Sequence, residues 1–278
     1  MFCGEIAMNR IALVTGASSG IGAMAANELA GAGFVVYAAA RRVEKMEELK
    51  KFGIRPVPLD LTDEKSVLAC VETVFAESGR IDVLVNNAGY GSYGAIEDVP
   101  LSEAKRQFDV NLFGMARLIQ LVTPKMRQNH FGKIVNVSSM GGKIWTKFGG
   151  WYHATKFAVE GFSDCLRMEL APFGIDVVVV EPGGIKTDWG IIAANHLKES
   201  AKGGAYEKYA EKAACGMIKN YSGNMLTKPE VIAKTIRKAV VSKHPKTRYL
   251  VGFMAKPMVF TQKIFGDRFY DWIIRNFS

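Results

Sequence analysis

The sequence contains little cysteine, and its cysteines show no pattern that would bind a metal or build a disulfide framework. The four are Cys3, Cys70, Cys165 and Cys215, which stand far apart and form no CxxC pair. Their spacing argues against a secreted domain stapled by disulfides and against a structural zinc domain. We therefore expect no metal, and the cytoplasm is the simplest compartment.

Long apolar runs are also missing. No segment approaches the roughly 20 consecutive apolar residues that cross a bilayer. The first ten residues, MFCGEIAMNR, lack the basic region and long apolar run of a signal peptide. The 278 residues, 49% hydrophobic and 23% charged, have the composition of a soluble globular protein. One large domain, 1–278, is expected, with Met8 as an alternative start of translation to Met1.

Acidic residues are scarce near the C-terminus. Residues 228–278 contain 11 Lys and Arg against 3 Asp and Glu, a difference of +8 within a formal net charge of +9. An enzyme acting on nucleic acid would carry basic residues along a groove across the fold, so this distribution argues against a nucleic-acid partner. A solvated basic face is its simplest interpretation.

What the sequence does contain is an alternation of short apolar runs with stretches of helix length. This alternation is typical of parallel strands linked by helices that cover both faces of a sheet. It predicts an α/β fold with a doubly wound parallel sheet. The seven strand candidates are RIALVT (10–15), GFVVYAAA (33–40), IRPVPL (54–59), IDVLVN (81–86), GKIVNVS (132–138), GIDVVVV (174–180) and TRYLVG (247–252).

Three of the connecting segments are long. Helices are expected over 102–129 and 151–173, and Pro124 is expected to kink the first because proline lacks a backbone donor. Residues 188–226 combine a glycine pair, charges and weak helical periodicity after a predicted strand. Long insertions of this kind are usually lids or binding loops, so we expect a substrate lid there.

A glycine-rich turn, TGASSGIG at 15–22, follows the first predicted strand and opens a helix. Glycines let such a turn approach a pyrophosphate closely, and the helix N-terminus attracts its negative charge. Packing alone also produces glycine-rich turns, but the position between strand and helix favours a dinucleotide site. The residues expected to contact the cofactor here are Gly16, Ser18, Ser19, Gly20, Ile21 and Gly22.

The end of the second predicted strand indicates which dinucleotide binds. An enzyme that uses NAD usually has an acidic residue there, which binds the ribose hydroxyls. This chain has Ala40 followed by Arg41 and Arg42. A guanidinium group suits a 2′-phosphate, so we expect Arg41 to bind NADP(H) in preference to NAD. The alternative is that both arginines are solvated.

Seven motifs follow one another along the chain, and together they indicate a family. They are TGASSGIG (15–22), LDL (59–61), NNAG (86–89), VNLFG (110–114), NVSSMGG (136–142), YHATK (152–156) and EPGGIKT (181–187). In this order the sequence resembles the short-chain dehydrogenase/reductase family over nearly its whole length. We therefore expect a Rossmann fold with strand order 3-2-1-4-5-6-7 that acts as an oxidoreductase.

The resemblance implies further cofactor contacts. Ser18 is expected to share the 2′-phosphate with Arg41. Beyond the glycine-rich turn, the resemblance implies Asp60 and Leu61 beside the adenine, Asn87, Ala88 and Gly89 along the cleft, and Pro182, Gly183, Ile185 and Thr187 towards the nicotinamide.

The resemblance also implies a catalytic tetrad of Asn111, Ser139, Tyr152 and Lys156. Tyr152 is expected to donate a proton to the substrate carbonyl oxygen during reduction, while Ser139 hydrogen-bonds the same oxygen. Lys156 is expected to bind the nicotinamide ribose, and Asn111 to seat a water that relays protons. By itself, Tyr152 would be an ordinary amphipathic residue at the start of a helix.

Physical reasoning adds a role for the spacing of Tyr152 and Lys156. Residues four apart share a helical face. Tyrosine titrates near pH 10, and a nearby cation stabilises the phenolate, so Lys156 is expected to lower the Tyr152 pKa. His153 raises the alternative of a Ser/His hydrolase, but no GxSxG turn surrounds Ser139, and an ordinary core or surface histidine is expected.

Aromatic residues are concentrated where the family places its substrate: Tyr90, Tyr93, Trp145, Phe148, Trp151 and Trp189. Such walls suit a bulky apolar ketone or alcohol, for example a steroid, a retinoid or a polycyclic compound. The alternative is that these rings only pack the lid.

The C-terminal extension, 253–278, continues past the last predicted strand and has apolar residues at helical spacing. Three interpretations remain open: a helix closing over the substrate site, a subunit contact, and a peripheral membrane helix. We expect a homo-oligomer, a dimer rather than the family's common tetramer. Two alternatives to the main function also remain, an NAD-linked alcohol dehydrogenase and a non-catalytic NADP(H)-sensing protein.

Overall fold

Seven parallel strands form the centre of the molecule. The computed structural model describes residues 10–277, so Cys3, Met8 and Ser278 lie outside the described residues. The strands form one sheet in the order β3-β2-β1-β4-β5-β6-β7, which confirms the predicted positions and order. They are β1 Ile11–Thr15, β2 Val35–Ala40, β3 Arg55–Pro58, β4 Val83–Asn86, β5 Gly132–Val137, β6 Ile175–Pro182 and β7 Arg248–Val251.

Helices connect the strands and cover both faces of the sheet. They are α1 Gly20–Ala30, α2 Glu64–Ser78, α3 Leu101–Phe108, α4 Gly114–Gln128, α5 Gly150–Leu170, α6 Trp189–Ala201, α7 Glu207–Ser222, α8 Pro229–Val241 and α9 Ala255–Phe277. Short 3-10 helices occupy Val43–Phe52, Met140–Gly142 and Ala171–Phe173.

The core consists of two apolar layers, one on each face of the sheet. On β1, Val14 packs with α1 and α8, whereas its neighbour Leu13 packs with α2, α4 and α5. Successive side chains of a strand point to opposite faces, so a strand buried on both sides reads as a continuous apolar run. This is why the strands could be recognised from the sequence.

The two predicted long helices have different outcomes. The helix expected over 151–173 is α5 with the following 3-10 turn. The helix expected over 102–129 is divided at a π-helical segment, Asp109–Phe113, and α4 then continues through Pro124 to Gln128. Pro124 has no N–H to donate to the preceding turn of the helix. Because Pro124 is exposed, water can donate this hydrogen bond instead. The interruption therefore falls at the segment that contains Asn111.

Residues 188–226 form two helices, α6 and α7, that pack against each other. Their contact is made by small residues, Ala193 and Ala194 on α6 and Ala210 and Ala214 on α7. Alanine has a low hydrophobicity, which explains why the helical pattern was weak in the sequence.

The C-terminal helix α9 packs on its own chain. It is interrupted at Gly266, whose φ of 73° lies in the left-handed region. Tyr270 and Ile274 are buried against Ile144 and Trp145, and Trp145 Nε1 donates a hydrogen bond to Asp271 at 2.8 Å. The helix thus supports the segment between the predicted catalytic residues. Among residues 10–277, no helix is long and apolar enough to cross a membrane.

Candidate active site

The glycine-rich turn between β1 and α1 needs glycine at three positions, 16, 20 and 22. Gly16 and Gly20 have φ angles of 68° and 56°, a region that other residues rarely adopt. A Cβ atom on Gly22 would lie 2.3 Å from the Gly16 carbonyl oxygen. Gly22 therefore lets the start of α1 pack closely on the turn, and the N-terminus of a helix placed in this way fits a pyrophosphate.

Thr15 and Asn87 fix this turn to the end of β4. The Thr15 hydroxyl accepts hydrogen bonds from the backbone N–H groups of Asn87 and Ala88, both at 3.0 Å. The Asn87 side chain donates to the Thr15 carbonyl at 3.0 Å. Asn87 and Ala88 therefore lie beside the glycine-rich turn, and the Asn87 amide serves the protein itself. Sequence reasoning missed Thr15, although a threonine ending a buried strand was a usable signal.

The arginines after β2 lie beside the glycine-rich turn. Both are exposed, and Arg42 Nη2 makes a long 3.5 Å contact with the hydroxyl of Ser18. Arg41 lies towards Asp60, whose pKa is lowered: partial burial alone would raise it, but hydrogen bonds from Thr62 and the charge of Arg41 outweigh burial. Arg42 is therefore a second candidate for the 2′-phosphate, one that sequence reasoning set aside.

The loop after β6 faces the glycine-rich turn from the other side. A Cβ atom on Gly20 would contact Thr187 Cγ2 at 3.4 Å. Two backbone hydrogen bonds fix this loop. The Gly183 N–H donates to the Val251 carbonyl at 2.9 Å, and the Lys186 N–H donates to the Thr227 carbonyl at 2.8 Å. The predicted contacts on the two sides of the cleft thus come together across a narrow gap.

Helix α5 and the end of β5 bring three of the predicted tetrad residues together. The Tyr152 hydroxyl is hydrogen-bonded to Ser139. The Ser139 hydroxyl in turn accepts from the Gly141 N–H at 3.0 Å. Lys156 Nζ lies 6.0 Å from the centre of the Tyr152 ring and donates to the Val137 carbonyl at 3.0 Å. A hydroxyl pair with a buried ammonium group behind it is suited to proton transfer.

The Tyr152 pKa shifts in the direction opposite to the expected one. Burial raises it, and the hydrogen bond with Ser139 lowers it only in part. The Lys156 ammonium group is hydrogen-bonded to the Val137 carbonyl. Burial also lowers the Lys156 pKa to about 8, against the charge of Glu160, which raises it. Tyr152 therefore holds its proton at neutral pH, as a proton donor must.

Asn111, the fourth predicted member, lies in the π-helical segment and is fully engaged with the protein. Its Oδ1 accepts from the Tyr90 N–H at 3.0 Å, and its Nδ2 donates to the Tyr90 carbonyl and to the Thr155 hydroxyl. A Cβ atom on Gly89 would lie 3.0 Å from Asn111 Oδ1 and 3.6 Å from Lys156 Nζ. Asn111 thus joins the cofactor loop to α5, and the water that it was expected to seat stays a prediction.

His153 is a core residue, as expected. Its Nε2 accepts a hydrogen bond from the Thr146 N–H at 3.0 Å, so its Nδ1 carries the proton and donates to the Gly141 carbonyl at 2.9 Å. Burial lowers its pKa. His153 therefore fastens the segment between Ser139 and Tyr152 and takes no part in a hydrolase site.

Aromatic rings cover Tyr152. The ring centres of Tyr93 and Trp189 lie 5.8 Å and 5.0 Å from that of Tyr152, and Tyr221 stands behind Trp189 at 6.3 Å. Of the other predicted wall residues, Tyr90 donates to Glu103 at 3.0 Å, and Trp145 packs on α9. Sequence reasoning missed Tyr221, because it lies far along the chain from the other wall residues and only the fold brings it next to Trp189.

Within residues 10–277, no group of three or more His, Cys, Asp and Glu side chains is arranged to hold a metal ion.

Comparison with known proteins agrees with this geometry. Residues 10–195 match the sequence model of the family described as short chain dehydrogenase. A 3-ketodihydrosphingosine reductase from Bacteroides thetaiotaomicron is 38% identical over 245 residues, which cover 87% of this chain and 88% of that protein.

Two solved structures have the same fold. A short-chain dehydrogenase from Streptomyces avermitilis superposes with a TM-score of 0.80 at 33% identity and covers 96% of both chains. A metagenomic short-chain oxidoreductase in complex with NADP superposes with a TM-score of 0.71 at 26% identity and covers 88% of this chain and 97% of the other.

Proposed function

This chain belongs to the short-chain dehydrogenase family, and from that premise we propose that it is an NADP(H)-dependent oxidoreductase that interconverts a ketone or aldehyde and an alcohol on a bulky apolar substrate. The observation that carries the proposal is the hydrogen-bonded pair of Tyr152 and Ser139 with Lys156 behind it, next to a glycine-rich turn that fits a dinucleotide.

Each residue of the site has its own role in the proposed reaction. The bound dinucleotide supplies hydride to the carbonyl carbon in reduction and accepts it in oxidation. In reduction Tyr152 Oη transfers its proton to the substrate oxygen, and the Ser139 hydroxyl hydrogen-bonds that oxygen as negative charge develops. The ammonium group of Lys156 then stabilises the phenolate that remains on Tyr152. Oxidation follows the same steps in reverse.

The preference for NADP(H) over NAD rests on the end of β2. Both residues that follow Ala40 are arginines, and Arg42 contacts Ser18 at the glycine-rich turn. A 2′-phosphate there would meet two guanidinium groups and the Ser18 hydroxyl. One similar solved structure is a complex with NADP, which is in keeping with this preference.

The bulky apolar substrate is inferred from the rings around Tyr152. Tyr93, Trp189 and Tyr221 form an apolar wall, and Trp189 is the first residue of α6. We assign α6 and α7 the role of a substrate lid, because Trp189 at the start of α6 lies against the Tyr152 ring. Steroid and retinoid carbonyls suit such a wall, and the 3-ketodihydrosphingosine reductase among the relatives adds sphingoid ketones to the candidates.

The test is oxidation of NADPH, and separately of NADH, with steroid ketones, retinal, 3-ketodihydrosphingosine, small aldehydes and sugar ketones. Tyr152→Phe is expected to lower turnover by about 10²- to 10⁴-fold and to leave NADPH binding intact. Tyr221→Phe is the matched control, because it removes a buried hydroxyl from the same aromatic cluster and should retain turnover.

Three outcomes would contradict parts of the proposal. Unchanged turnover in Tyr152→Phe would refute the assignment of the proton donor. Turnover of small polar carbonyls alone would show that the rings only pack the lid. Tight NADPH binding without any turnover would favour a cofactor-sensing protein.

A further inference from the structure

The outer side of α9 presents an apolar face that is exposed among the described residues, 10–277. Its members are each between 40% and 64% exposed. The rings of Phe265 and Phe269 lie 4.9 Å apart, and those of Phe269 and Trp272 lie 5.8 Å apart and are stacked. We call these residues the α9 apolar face: Phe260, Ile264, Phe265, Phe269 and Trp272. A contiguous apolar patch of this kind marks a binding surface.

Basic residues lie on the same helix as the α9 apolar face. Lys256, Lys263, Arg268 and Arg275 on α9 are all exposed. Lys147, on the neighbouring segment, donates to the Arg275 carbonyl at 3.3 Å and so lies at the same end of the helix.

Acidic residues offset half of the four positive charges of α9. Helix α9 has two, and Asp271 points inward to Trp145. Asp267 accepts a hydrogen bond from Gln262 at 3.1 Å. The outward side of the helix therefore combines large apolar side chains with a net positive charge.

We propose that the α9 apolar face binds an anionic lipid surface, with the two helical segments on either side of Gly266 lying at the membrane interface. Aromatic and aliphatic side chains on one side of a helix, bordered by Lys and Arg, are the features of helices that lie in the headgroup region. Each basic residue near such a surface adds to the attraction of anionic lipids.

Charge argues against a second copy of this chain as the occupant. In a two-fold symmetric contact the same surface meets itself. The basic residues of one α9, which exceed its acidic residues by four to two, would then face those of the other. Like charges brought together at an interface are unfavourable, whereas an anionic lipid surface complements them.

The position of α9 relates this surface to the candidate active site. Through Tyr270 and Ile274 the helix packs on Ile144 and Trp145, between Ser139 and Tyr152 in the chain. Lipid binding would therefore bring the substrate entrance near the membrane, where bulky apolar molecules are dissolved. This second step rests on the proposed function, whereas the lipid binding itself does not.

The experiment is cosedimentation of the full-length protein with vesicles of phosphatidylcholine alone, or with about one third phosphatidylserine. The wild-type protein is expected to sediment with the anionic vesicles and to be released as ionic strength rises from about 0.1 M to about 0.5 M. Phe265→Gln with Phe269→Gln is expected to weaken binding by about 10-fold or more. Met168→Gln, at an exposed apolar position on α5, should bind as the wild type does.

Two further variants test the role of charge in lipid binding and the independence of lipid binding from the proposed reaction. Lys263→Glu with Arg268→Glu should remove the preference for anionic vesicles. Tyr152→Phe should bind vesicles normally, so a failure of the proposed reaction and a failure of lipid binding can be told apart.

The proposal is overturned if the wild-type protein sediments with neither kind of vesicle, or if the double Phe variant, folded by circular dichroism, binds like the wild type. It is also overturned if the wild type does not bind vesicles and analytical ultracentrifugation shows that it forms a dimer, which the double Phe variant does not form. That last result would assign the face to a second copy of the chain.

Discussion

Two buried carboxyl groups beside the active site share one pair of cations. Glu160 on α5 and Glu181 on β6 are 4% and 3% exposed. Lys143 Nζ lies 3.0 Å from Glu160 Oε2 and 3.8 Å from Glu181 Oε1. Arg248 Nε lies 3.1 Å and 3.3 Å from the same two atoms. Burial raises the pKa of Glu181 to about 7, the Glu160 charge acts in the same direction, and Lys143 and Arg248 oppose them.

This pKa predicts how stability depends on pH. The folded-state pKa of Glu181 is raised from 4.5 to about 7. A raised carboxyl pKa contributes stability that is fully present below pH 4.5 and is lost as the pH rises through 7. At about 1.4 kcal/mol per pH unit, the loss amounts to roughly 3 kcal/mol. Glu181→Gln keeps the shape and removes the charge, so it should remove this loss.

The assay is urea unfolding of the wild type and of Glu181→Gln at pH 4.5 and pH 8, with the free energy of unfolding extrapolated to water. The difference between variant and wild type should shift in favour of the variant by about 3 kcal/mol between the two pH values. Glu169→Gln, an exposed position on α5, is the control and should show no such shift. An equal difference at both pH values for Glu181→Gln would refute the reasoning.

Other predictions concern the cofactor and the lid. Gly22→Ala should lose NADPH binding, measured by calorimetric titration, because the added Cβ would lie 2.3 Å from the Gly16 carbonyl oxygen; binding of wild-type strength would contradict the assigned cradle. Arg41→Ala and Arg42→Ala should each raise the KM for NADPH by about 10-fold without raising that for NADH, and equal effects on both cofactors would remove the 2′-phosphate assignment. Trp189→Ala should change the KM and range of substrates while the Kd for NADPH stays constant, and an unchanged substrate range would argue that this ring only packs the lid.

Much of the fold was predictable because the sheet is buried on both faces. Each strand is then a short apolar run. The motifs at the ends of the strands indicate which strands contribute residues to the site. Ser139 and Tyr152 could be paired from their motifs, and the structure places their hydroxyl groups in a hydrogen bond. The positions of α6 and α7 were harder to predict, since alanines such as Ala193 and Ala210 make their contact.

The electrostatics of the site could not be predicted from spacing alone. The four-residue interval between Tyr152 and Lys156 shows that they share a helical face, but neither the depth of burial nor the hydrogen bond of Lys156 to Val137 follows from it. Burial then dominates the Tyr152 pKa. In the same way, the distance between Arg42 and Ser18 depends on how the chain turns after β2, which adjacent arginines in a sequence do not reveal.

The fastening of residues 140–147 has a consequence for how new specificities can arise. His153 ties this segment to α5 through Gly141 and Thr146, and Trp145 ties it to α9 through Asp271. Changes there would disturb Tyr152, the proposed proton donor. The α6 and α7 side touches the site through a few rings. Exchange of residues 188–226 between relatives is therefore the route by which this scaffold can be redirected to other molecules, in evolution or in the laboratory, with its chemistry kept.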